Sequence, residues 1–265
     1  MKKYLLFMAC IVMGTTVVSC SNDDTNTPSG TGNLIVEFDN VFGANDLILN
    51  TASYSTSQNE NLKISQVKYI VSNIKLTRKD GTIFTYPKAE SYFIVDETDA
   101  TTHELELSGI PAGDYESISF GIGVDEAQFN LGADGQGNFL AWADSEDMMW
   151  SWSAGYKFVM FEGMFTSPTV SSDTMFMVHT GKTGASYNYA EITLPMTNDA
   201  LVRTNITPQV HIFADVAKII DGTNKISLTA NNMGGMGAMI MGGEALPQIT
   251  ANLQGMFTVN HVHNE

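Results

Sequence analysis

The chain has 265 residues, with 29 acidic against 13 basic side chains and a formal charge of −16. That surplus excludes nucleic acid as the natural partner, because neutralising phosphates needs an excess of Lys and Arg. Only two cysteines are present, Cys10 and Cys20.

Residues 1–19 read as a secretory signal: Lys2 and Lys3 open it, and Leu5 to Val18 is largely apolar but too short for a spanning helix. Val17-Val18-Ser19-Cys20 fits a lipobox. Cys20 is therefore expected to become a lipidated N-terminus that anchors the protein to a membrane leaflet, as an outer-membrane lipoprotein facing the periplasm or the cell surface. Removing the signal takes Cys10 and two lysines with it, which leaves 11 basic against 29 acidic residues, a formal charge of −18. No disulfide is then possible within the mature chain. A metal site has to use His, Met, carboxylate or backbone oxygen, since no thiolate is left to ligate.

Residues 20–33 are Ser, Thr, Asn, Asp, Gly and Pro with few apolar groups, the composition of a flexible tether. The remainder, 34–265, suits one sizeable core. Leu34–Phe38 predicts a strand, Asp46–Tyr54 a second and Leu62–Leu76 a third, closed by the turn signal Arg78-Lys79-Asp80-Gly81 before Thr82–Tyr86. Tyr92–Val95, Thr102–Leu107 and Tyr115–Val124 continue the series. Asp125–Asp147 is a long connection whose acids lack the spacing of a calcium loop. Further strands are expected at Ser172–Thr180, Tyr187–Leu194, Asn205–Val216 and Lys225–Thr229. A Gly/Met-rich stretch follows at Asn231–Pro247, then a short helix at Ile249–Met256 and an extended end at Phe257–His263. The fold class is all-β: an antiparallel sandwich or partly open barrel, in a single domain with long loops.

Between these lies the run Glu146–Gly163, with two of the three tryptophans. Trp150, Trp152, Tyr156, Phe158 and Met160 share a parity, so one extended strand would place them on one face, with Gly155 marking a kink. Dense aromatics of this kind suit core packing.

Five histidines fall in the mature chain: His103, His179, His211, His261 and His263. His261 and His263, at i and i+2, project to one side about 7 Å apart at Cα, within reach of one metal; a solvated tail is the plainer alternative. His211 shares a strand face with Phe213, and His179 ends a strand. His103 reads as a surface residue. Methionines cluster too, with Met233, Met236, Met239 and Met241 in the Gly-rich segment; thioether sulfur suits cuprous ion, although Met also fills irregular gaps.

The runs "MMWSWSAGYKFVMFEG", "VKYIVSNIKL", "YFIVDET", "LSGIPAGDYESISFGIGVDE" and "GMFTVNHVHN" together resemble the MbnP-like family of periplasmic or surface copper-binding proteins encoded beside methanobactin-type copper systems. The resemblance implies copper as the bound metal, a place for the "HTG" element at His179, and a closing "NHVHN" that docks on the domain. It also implies a haem peroxidase partner that oxidises a tryptophan near the metal to a kynurenine, with Trp150 and Trp152 as the candidates, and an outer-membrane transporter as a second partner.

No nucleophile elbow, paired-carboxylate signature, P-loop or dinucleotide glycine pattern is present, so an enzyme is not expected. The reading is an extracytoplasmic lipoprotein binding copper, as Cu(I), through His211, His261, His263 and His179, with methionine or aromatic help. The rival is a surface glycan-binding or adhesion lipoprotein with incidental histidines.

Overall fold

The computed structural model describes residues 28–184 and 186–265. The expected signal peptide, Cys20 and the tether up to residue 27 lie outside the described residues. Strands dominate, as the alternating pattern requires, and run in chain order as β1 (Thr31–Phe42), β2 (Asn45–Asp46), β3 (Tyr54–Ser55), β4 (Asn61–Arg78), β5 (Ile83–Thr85), β6 (Tyr92–Asp96), β7 (Glu104–Pro111) and β8 (Gly113–Ile122). After them come β9 (Met149–Ser151), β10 (Gly155–Ser167), β11 (Val170–Thr183), β12 (Ser186–Tyr187), β13 (Ala190–Val202), β14 (Pro208–Asp215), β15 (Ala238–Ile240) and β16 (Phe257–Asn264).

They form an all-β sandwich of two large curled sheets. The first has the order β16-β14-β1, with β7 and β2 both pairing β1. The second runs β12-β11-β10-β4-β8-β13; β15 adds to β11, β9 to β10, and β3, β5 and β6 to β4. Pairing is antiparallel except between β1 and β14 and between β11 and β15. In β1, Leu34, Val36 and Phe38 are fully buried while Ile35, Glu37 and Asp39 stay half exposed, so one face meets the core and the other meets water.

Four rings lock the sheets together. Phe38 of β1 and Phe257 of β16 meet Phe120 of β8 and Tyr69 of β4 edge to face, with centroids 5.3 to 6.0 Å apart. Each such pair adds roughly 0.5–1.5 kcal/mol beyond its buried area. A second apolar cluster sits on the other face of the second sheet, where Ile70, Phe158 and Met160 are roofed by Phe139 and Ala143.

That roof corrects the expected loop at Asp125–Asp147, which contains α1 (Glu126–Phe129) and α2 (Asn138–Ser145). Asp125 caps α1 by accepting from the Gln128 amide, and Phe139 and Ala143 turn α2 inward. The aromatic run is not one strand either. It is a hairpin, β9 turning through residues 152–154 into β10, so Trp150 lies on the neighbouring strand and Trp152 in the turn, its ring edge to face with Tyr156. The expected strand Asp46–Tyr54 instead wraps around the Tyr54 hydroxyl, which accepts from the Ile48 amide and donates to the Asp46 carbonyl. Lys225–Thr229 is also not a strand, because the buried Glu60 carboxylate takes the Leu228 and Thr229 amides that a ladder would need. The first strand begins at Thr31, inside the expected tether; Thr31 and Gly32 pair with Pro111 and Ile110. The C-terminal helix, α4 (Ala245–Asn252), starts four residues earlier than expected and continues as a 3₁₀ turn. The remaining helix is α3 (Lys218–Asp221).

Candidate metal centres

The outer face of the first sheet gathers three histidines from two strands. His211 of β14 pairs directly with His261 of β16, and their Nδ1 atoms stand 3.4 Å apart. His263, two residues on, lies with its ring centroid 4.5 Å from that of His261. A bulge decides which way these side chains point. His211 pairs with His261 but Ile212 pairs with Val259, which leaves Asn260 as an extra residue. Without it, strict alternation from the inward Phe257 and Val259 would turn His261 and His263 into the core. With it, Val262 is buried while His261 is half exposed and His263 exposed.

The neighbouring strand supplies charge. Through the parallel β1–β14 register, Glu37 sits opposite His211 and Asp39 opposite Phe213. Asp39 Oδ2 approaches His211 Nε2 to 3.2 Å and Glu37 Oε1 to 3.8 Å. The Asp39 contact has ion-pair distance but not hydrogen-bond direction, and the buried Nε2 has no hydrogen-bond partner. Gln209 holds Glu37 in place by donating to Oε2 at 2.8 Å. Partial desolvation lowers the pKa of His261, and the neighbouring His211 and His263 lower it further, so this ring favours its neutral, ligating form.

These residues fit a metal on two counts. Two nitrogens bound about 2.0–2.1 Å from one tetrahedral ion stand roughly 3.3 Å apart, the separation His211 and His261 already have. His211 also holds its other nitrogen 3.2 Å from the Asp39 carboxylate, so a small rotation would complete the hydrogen bond that metal-bound histidines generally make. Among the described residues, no three His, Cys, Asp or Glu side chains already close around one point, so ligation requires ring rotation. The exposed His263 is the freest of the three to turn.

His179 does not join this group. It lies on β11 in the second sheet, only 4% exposed, with Nε2 2.6 Å from Glu162 Oε1 and a buried Nδ1 that has no partner. The Trp150 ring is 6.3 Å away, centroid to centroid. Gly181 of the "HTG" element makes room for that indole, since a Cβ there would strike Trp150 and the Tyr156 carbonyl. Trp152 lies apart, stacked on Phe129 at 5.0 Å. Met241 and Trp150 line one open pocket, whereas Met233, Met236 and Met239 are solvent-exposed. His103 bonds to the Asp96 carbonyl and stands outside both groups.

The family model for MbnP matches residues 31–240. The chain belongs to the MbnP family. Among solved structures, MbnP from Methylosinus trichosporium is similar at 15% identity and a TM-score of 0.46, covering 81% of this chain and 82% of that one. No curated protein sequence matches. The family match includes His179, Trp150 and His211, while His261 and His263 fall beyond it.

Sequence reasoning missed Glu37, Asp39, Gln209 and Asn260 around the histidines, and Glu162 beside His179. Glu37 and Asp39 left a signal: two acids at i and i+2, continuing the outward phase of Leu34–Phe38.

Proposed function

We propose that this chain is an extracytoplasmic lipoprotein that binds copper, as Cu(I), through neutral His211, His261 and His263 on the outer face of the first sheet. Copper is its cargo, and the protein binds rather than catalyses. The observation that carries the reading is the pair of facing imidazole nitrogens, 3.4 Å apart beside two carboxylates. Imidazole is a good copper ligand, the carboxylates attract a cation, and the MbnP family is associated with methanobactin and copper handling. Asp39 places its charge beside His211 Nε2, and Glu37 is kept in line by Gln209.

On the same reading the partners are a haem peroxidase and an outer-membrane transporter, with the membrane reached through lipidated Cys20. Trp150 is the tryptophan the peroxidase would oxidise, because it is the indole beside a histidine. Trp152 is spent in stacking. A mass gain confined to the peptide that carries Trp150, in protein from the native source, checks this; unmodified Trp150 contradicts it.

The test is competition with a cuprous chelator at pH 7. The histidine site is expected to contribute one equivalent of copper in the wild-type domain, counted apart from any that thioethers hold. His211→Ala and His261→Ala each weaken it by more than the ~10–100-fold typical of an outer-shell change. Unchanged affinity in both variants overturns the proposal.

A further inference from the structure

The outer face of the second sheet presents a different donor. Beyond the helical roof, β11 points Met175 and Met177 outward between the buried Phe176 and Val178. Met175 pairs with Met164 of β10, and Met177 pairs with Met239 of β15. The turn entering β15 adds Met233 and Met236. It is closed on itself by the Asn232–Ala238 bridge and held close against β11 at Gly237, where a Cβ would collide with the Met175 carbonyl. Segments about sixty residues apart in sequence thus bring their thioethers to one shelf.

Five of these methionines are 37% to 58% exposed, and they are five of the nine large apolar side chains the described residues leave in water. Core filling does not account for them, because a gap-filling methionine is buried. An exposed apolar patch marks a binding surface, and a patch made of one soft ligand type selects a soft ion.

We propose that this shelf is a second metal site, one for a soft monovalent cation, held by the sulfurs of Met175, Met177 and Met239 with Met236 from the adjoining turn as the fourth. It is separate from the histidine site and independent of it. Thioethers bind without losing a proton, so the shelf keeps its ion in acid.

The probe is Ag(I), titrated into the full mature domain at about pH 5, with the methionine methyl groups followed by NMR. Saturation at one equivalent is expected, with shifts confined to the shelf methyls and no shift at the buried Met148, Met160 and Met256. The triple variant M175L/M177L/M239L keeps the apolar surface but loses the sulfurs, and it should lose the acid-stable equivalent. M239L alone, at an exposed position where leucine costs the fold little, should weaken binding at least tenfold. Undisturbed shelf methyls, or equal binding by the leucine variants, overturns the proposal and leaves the patch as a surface for a protein partner. His261→Ala/His263→Ala retains the acid-stable equivalent if the shelf is right, so failure of the histidine site and failure of the shelf read out separately.

Discussion

The two outer faces of the sandwich differ in what they offer a metal. The first sheet offers imidazole nitrogen backed by carboxylate: His211, His261 and His263 with Asp39 and Glu37. The second offers thioether sulfur, with a single histidine, His179, already committed to Glu162. Each strand of the first sheet spends its inward positions on core rings and aliphatics, which leaves the outward positions free for chemistry. On the second sheet, α2 and the residues around it cover part of the outer face, and methionines occupy exposed positions where β10, β11 and β15 meet. On the proposed assignments the imidazole and thioether ligands lie on different faces, and proton competition should act on the imidazole face alone.

The largest effect should come from removing the terminal histidines. His261→Ala/His263→Ala should remove the imidazole-bound equivalent of copper at pH 7, leaving only what the methionine shelf holds, while leaving the melting temperature nearly unchanged, because both side chains point outward. Truncation after Asn260 is the poorer experiment. It also removes the buried Val262 and the Asn264 side chain, which accepts from the Leu201 amide and donates to the Asp199 carbonyl. Copper bound at full strength by the double alanine variant would erase the contrast between the faces.

Next in size is Asp39→Asn. It keeps the shape of the carboxylate but removes the charge beside His211 Nε2, and copper affinity should fall ~10–100-fold. Equal affinity in a chelator competition would mean that the carboxylate does not support the ring.

The smallest effect is in the metal-free protein. The folded state holds the His261 pKa below its ordinary value near 6.5, so the unfolded chain binds more protons as pH falls through that value. Stability should therefore drop modestly from about pH 7 toward pH 5.5. Melting curves across that window check the sign, and His261→Ala should flatten the slope. A rise in stability on acidification would contradict the lowered pKa.

Much of this was legible in the sequence, for identifiable reasons. Period-two alternation gave most strands, including β1, β4, β8 and β14, and the i, i+2 spacing placed His261 and His263 on one side. The sequence did not reveal which side, because that depends on the bulge at Asn260, and a bulge is a property of two strands in register. The partnership of His211 with Asp39 runs through a parallel pairing across more than 170 residues, which no local pattern encodes. The methionines cluster in two stretches of sequence, 148–177 and 233–256, but only the parallel pairing of β15 with β11 brings Met175 and Met177 beside Met239. The helices over Asp125–Asp147 were hidden by their glycines and asparagines, whose loop signal outweighed the burial of Phe139 and Ala143.

X-ray absorption on the domain loaded with one equivalent of Cu(I) at pH 7 tests the central claim most directly, because it reports the atoms bound to the metal. A first shell of nitrogen and oxygen, with the multiple-scattering signature of imidazole, is the result expected for His211, His261 and His263. A first shell dominated by sulfur would contradict it and place the copper on the methionine face.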